Sequence, residues 1–341
     1  MGTGWGHRTI VVLAVVALAA ACGGDDGGGN QAEGSATSAP TTTAPGGLAE
    51  AQDIEGAGAQ AIEALPFADW VTIAGDSAWV ANVGDGVGRY DLATGELLGS
   101  ALTGTEVCLA MDQGFDSLWV GDCATNTVAR VDVATGEVLA RIPLGGAQLP
   151  SESSLAVDDT GVWVLTAGAD PDLLRIDPAT NQVAETVPAP SEATAVRAGE
   201  GSLWVTRART GQLIRVDPAS GDELAEIDVA PYSIFLAVGE GGVWTLGADT
   251  AEVTHVNPAT DTVVATIPVG EGSVSGGDIA VGGGYVWARV SDSLVAQIDP
   301  VTDEVVARFG PPAGSGSVAA DDDAVWISAH DVDTVWRLPI D

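Results

Sequence analysis

Lysine is missing from this sequence: all 12 cations are arginines, against 48 acidic residues and a formal charge of −36. That excludes a phosphate-binding loop built on lysine, Schiff-base chemistry and a lysine general base. Histidine is nearly as scarce, with three in the chain. Neither a G-x-S-x-G nor an H-E-x-x-H pattern occurs, so the common hydrolase and zinc-peptidase arrangements are excluded too. The charge repels nucleic-acid phosphate and excludes nucleic acid as a partner. Three cysteines, with no C-x-x-C and no paired Cys and His spacing, exclude a structural zinc site. Phe and Tyr are rare, yet there are 10 Trp, and these carry the organisation of the chain.

The first 21 residues read as an export signal. Arg8 precedes an apolar run from Thr9 to Ala21 that is too short to span a bilayer, which takes about 20 residues. Leu18 to Cys22 resembles the bacterial lipobox, with Ala19 where that motif prefers leucine. The resemblance implies a lipidated Cys22, an extracytoplasmic location and a membrane partner through the lipid anchor. Residues 22–58, rich in Gly, Ser, Thr and Pro, read as a disordered tether.

From residue 59 the chain repeats. Trp79, Trp119, Trp163, Trp204, Trp244, Trp287 and Trp326 recur every 39 to 44 residues, the period of four short strands per unit. In the third unit the strands fall at 154–157, 161–165, 173–177 and 182–187. The turn between third and fourth strands has a fixed chemistry, led by Asp91, Asp132, Asp177, Asp217, Asn257 and Asp299. Such a residue accepts backbone N–H bonds at the turn, so these carboxylates are turn formers. Arg89, Arg130, Arg175 and Arg215 stand two residues before the Asp and pair or stack locally. The last unit stops one strand short, and residues 61–66 read as the missing strand. The fold expected is therefore all-β: a seven-bladed β-propeller over residues 59–341, its ring closed by an N-terminal strand in the C-terminal blade.

Thr260 to Gly270 resembles the closing strand of the YVTN-type (YncE-like) propeller repeat, and Ser202 to Thr206 resembles its second strand. The Gly-x-Leu-Trp pattern is similar, more distantly, to the virginiamycin B lyase propellers. Those enzymes hold magnesium with two histidines and a glutamate at the channel mouth. Here His255 takes a third-strand position away from the axis, which departs from that pattern.

Several residues remain as site candidates. Cys108 and Cys123, flanking one hairpin, are expected to form a disulfide. Arg207 and Arg209, in a loop of the fourth unit, could hold a small anionic ligand with Arg289, Tyr232 and His330. Asp85, Asp122, Asp170, Asp172, Asp249, Asp292, Asp331 and Asp333 lie in loops of the same face and offer a divalent cation a place, though no metal or cofactor is assigned. The reading is a monomeric, non-catalytic module binding a protein or a small anion over the face made by the second-to-third and fourth-to-first strand loops. The alternative is a metal-dependent lyase or lactonase.

Overall fold

The computed structural model describes residues 47–82 and 85–340. Cys22, the export signal and most of the tether lie outside the described residues. The rest forms seven four-stranded antiparallel sheets, the blades of a propeller. Blades one to six span residues 68–101, 107–143, 155–188, 195–228, 233–268 and 278–309. Blade seven takes three strands from residues 318–339 and its outermost from Gln60–Glu63, which pairs antiparallel with Thr334–Pro339. In every blade the first strand is innermost, and it packs on the first strand of the next blade round to blade one.

The seven Trp of the repeat sit at the centre of each second strand, and all are essentially inaccessible. A buried indole needs a partner for its N–H. Trp79, Trp119, Trp204, Trp244 and Trp287 donate to the carbonyl five residues earlier, at the end of the first strand, over 3.0 to 3.2 Å. Trp163 uses Asp158 instead, at 2.9 Å. The indole thus locks the first hairpin of its own blade while its ring fills the space between blades.

The arginine of the third strand completes the joint. Arg89, Arg130 and Arg215 lie over Trp79, Trp119 and Trp204, 4.9 to 5.5 Å from the ring centres. Each donates from Nε to the serine opening the second strand, and from Nη1 to a carbonyl in the third-to-fourth turn of the next blade. That turn is presented by its Asp, whose side chain caps two backbone N–H groups at Asp91 and Asp132. In blade five His255 stacks on Trp244 at 3.8 Å and reaches Asp303 of blade six at 2.7 Å. Arg337 of blade seven donates to the Leu92 carbonyl of blade one, so the same joint closes the ring.

Blade three is the exception. Gly161 occupies the serine position, where a Cβ would meet the Ile176 carbonyl at 2.6 Å. Arg175 accordingly turns back on its own blade, to Glu185 and the Thr160 carbonyl. A cavity of about 340 Å3, lined by Asp158, Thr160, Glu200, Ser202 and Pro218, opens at the seam with blade four.

The end of the segment read as tether is packed. Gln52 bridges Phe309 of blade six through two backbone hydrogen bonds of 2.8 Å, and Ile54 is buried among Leu294, Phe309 and Trp336. Arg308 ties the strap down from below, reaching Asp292 at 2.5 Å and the Ala49 carbonyl at 3.3 Å.

The joints give a direct comparison. Arg215→Met removes bonds to Ser202, Pro258 and Asp261 together with the stacking on Trp204. It should cost about 2 kcal/mol in denaturant unfolding, as expected for buried charge-assisted hydrogen bonds. Arg175→Met should cost less than about 1 kcal/mol, because its carboxylate partner is partly exposed. Equal losses would mean that the contact to the next blade contributes nothing.

Candidate functional site: the axial cavity

Pairing register sets what faces the axis. The residue seven before each Trp lies directly across from it on the inner strand, and in four blades it is alanine: Ala156, Ala237, Ala280 and Ala319. The other three carry Thr72, Asp112 and Arg197. Small residues leave the ring open along its axis, and the three departures furnish it. The result is an axial cavity of about 310 Å3 to which all seven inner strands contribute. Most of its lining comes from the second halves of those strands, toward the turns joining first and second strands.

Trp70 of blade one lies at the wall of this cavity, only 4 % exposed. Its indole packs on Phe235 of blade five at 6.3 Å, and the Arg197 guanidinium of blade four lies 5.7 Å from its ring centre. Contacts between blades one, four and five cross the axis, so Trp70 acts as a partition. Arg197 donates from Nη1 to the carbonyls of Val196 at 2.9 Å and Leu155 at 3.4 Å.

Two carboxylates share the lining. Asp112 accepts the N–H groups of Gln113 and Val157, both at 2.8 Å. Burial raises its pKa above the usual carboxylate range, against the pull of Arg197 and these two N–H groups. Asp278 is 3 % exposed; it accepts the Ser317 hydroxyl at 2.6 Å and the N–H groups of Ile279 and Val318. Burial pushes it up to about 6, opposed first by Ser317 and then by Arg197.

Beyond the partition, toward the second-to-third strand loops, lies a buried polar network. Arg289 is fully inaccessible and donates to the carbonyls of Ser328 at 3.1 Å, Gly314 at 2.7 Å and Val290. Burial lowers its pKa to about 10 against the attraction of Asp331 and Asp69. His330 Nδ1 stands 3.2 Å from the Ser315 carbonyl and 3.8 Å from Asp69. Burial raises Asp69, which His330 and Arg289 pull the other way, and it raises Glu152, which Asp69 and Asp278 push further up.

The candidates from sequence are dispersed by this arrangement. Arg289 and His330 belong to the buried network. Arg207 faces the outer strand of its own blade and is held by Glu223, Glu226 at 2.9 Å and the Ser191 carbonyl at 3.1 Å. Arg209 and Tyr232 are exposed on the loops. Cys108 and Cys123 are joined, with their Cα atoms 5.2 Å apart. Several loop acids are engaged locally: Asp122 with Arg141 at 3.0 Å, Asp292 with Arg308, and Asp333 with the Phe67 N–H at 2.7 Å. Among the described residues no three His, Cys, Asp or Glu side chains are grouped to share a metal ion.

The residues that furnish the cavity went unselected from the sequence, although a signal was present. Aligned on the Trp, the position seven earlier reads Thr, Asp, Ala, Arg, Ala, Ala, Ala around the ring. Its departures from alanine mark the site.

Asp278 gives the site a measurable signature. Its folded pKa of about 6 lies above an unfolded value of ~3.9, so the folded state binds more protons in that interval. Its contribution is fully favourable below the lower value and is lost as pH rises to about 6. The loss is on the order of 1–3 kcal/mol. Asp278→Asn should therefore flatten the fall in unfolding free energy between pH 4 and pH 6. Parallel profiles for the two proteins would show that Asp278 titrates normally.

No protein-family model matches the chain, and no curated protein matches it. Solved structures do, at low identity. The hydrazine synthase of Kuenenia stuttgartiensis is 17 % identical with a TM-score of 0.65, over 81 % of this chain and 96 % of that one. The protein U3-55K is 11 % identical with a TM-score of 0.67, over 83 % and 98 %. The computationally designed protein Ika8 is 16 % identical with a TM-score of 0.63, over 82 % and 98 %. At this distance the likeness extends to the fold alone, and the chain is a seven-bladed β-propeller.

Proposed function

We propose that this chain is an extracytoplasmic, lipid-anchored propeller of the YVTN type that binds a small ligand in its axial cavity and does no chemistry on it. The observation that carries the reading is the furnishing of the cavity. Arg197, Asp112 and Asp278 line about 310 Å3 of space at positions where the repeat otherwise puts small or apolar residues. Pockets of this size with a few converging polar groups are the usual form of a small-molecule site. Backbone N–H groups and Ser317 hold both carboxylates in place, which suits recognition better than proton shuttling. The leader and Cys22 support the anchored location, and the strap over residues 49–54 sets the globular part directly after the tether.

The test uses the full chain purified from a bacterial envelope. Wild type should partition with membranes and carry a lipid mass at Cys22, whereas Cys22→Ala should appear in the soluble fraction. Native mass spectrometry of the wild type should show a small-molecule adduct. Ala280→Phe, which puts a ring into the cavity, should lose that adduct. An adduct that survives Ala280→Phe would move the ligand elsewhere on the molecule, and recovery of the bound molecule in altered form would make the protein an enzyme.

A further inference from the structure

We propose that the axial cavity takes a small zwitterion, a molecule carrying a carboxylate and an amine on one short skeleton; this rests on the reading of the cavity as a ligand site. Arg197 is the starting point. In a chain with four acidic residues for each arginine, no carboxylate among the described residues lies within 4 Å of its guanidinium. Its hydrogen bonds among the described residues run from Nη1, to Val196 and Leu155, while Nε and Nη2 make none. Those donors sit on the cavity wall beside Trp70.

Asp112 and Asp278 line the same cavity and are near enough to feel the charge of Arg197, yet neither forms an ion pair with it. Opposite charges held apart in a partly dry space leave attraction unused, because the energy grows steeply as separation and dielectric fall. A molecule that bridges them recovers it. A carboxylate on Arg197 can make the paired, charge-assisted bonds that a guanidinium favours. An ammonium directed to Asp112 and Asp278 finds oxygens with remaining acceptor capacity and lowers the cost of keeping both ionised.

Other chemistries fit less well. A simple anion would face two carboxylates, and a simple cation would face Arg197. A sugar wants an open aromatic face, and the ring of Trp70 is taken by Arg197 and Phe235. The size is right for an amino acid or a short amino-carboxylate, which leaves room for one or two bridging waters.

The full chain, stripped of bound small molecules by partial unfolding and refolding, would be titrated calorimetrically at neutral pH. The probes are glycine, L-alanine, L-glutamate, L-arginine and γ-aminobutyrate, with acetate, ethylamine and glucose alongside. At least one amino-carboxylate should bind and raise the unfolding midpoint, while acetate and ethylamine at equal concentration should not. Arg197→Gln should weaken that binding at least tenfold, and Asp112→Asn should weaken it while keeping the thermal midpoint of the free protein. If Arg197→Gln does not fold, Arg197→Lys keeps the charge without the fork and should bind at an intermediate level. No binding by any amino-carboxylate, or unchanged binding in the Arg197 variants, overturns the proposal. Binding of glucose alone, or an envelope adduct lost in Ala280→Phe when all five amino-carboxylates fail, overturns the ligand class while leaving the cavity as the site.

Discussion

The joint between neighbouring blades is the constraint on which this ring depends. An indole N–H fastens the first hairpin of a blade, and a cation on the indole face reaches the turn of the next. Each blade alone would expose one face of its sheet, and the buried Trp is what that face presents to its neighbour. The bond from arginine to a backbone carbonyl adds direction to an otherwise non-directional apolar contact. It also explains why the turn Asp is so regular: the turn must hold its carbonyl at a fixed height to be grasped.

Because the joints are made by second and third strands and the turns, the inner strands are released from holding the ring together. They need only be small enough to pass the axis, and alanine serves in four of the seven blades. Substitution at the remaining positions changes the cavity without touching the interfaces. Arg197 shows the separation well, since it pairs in register with the buried Trp204 while its charge lies against Trp70 on the far side of the axis. The scaffold and the site therefore occupy different residues of the same repeat.

That separation also decides how much could be read from sequence. The Trp spacing gave the number of blades, and the strands expected in the third unit agree with those observed to within a residue or so at each end. The Gln60–Glu63 strand was legible because the last unit is one strand short. The site was harder to see, because attention to clustered arginines favours loops, and Arg207 proved to be neutralised by Glu223 and Glu226 on its own outer strand. Arg197, Asp112 and Asp278 are far apart in sequence, and only the ring brings them to one space. Their proximity is a property of closure, which no local pattern encodes.

Closure has a further consequence, in time rather than space. The outermost strand of blade seven is made from residues 60–63, and its partner from residues 334–339. The first strand to emerge from a ribosome or an export channel must wait for the last before it can pair. Blades one to six can form in order behind it, each built from contacts close in sequence, whereas the seventh requires the longest loop closure in the molecule. Until then an edge of blade seven stands open, and the strap of Gln52 and Ile54 cannot lie down until blade six is complete. The ring is thus assembled in chain order and sealed by its own beginning.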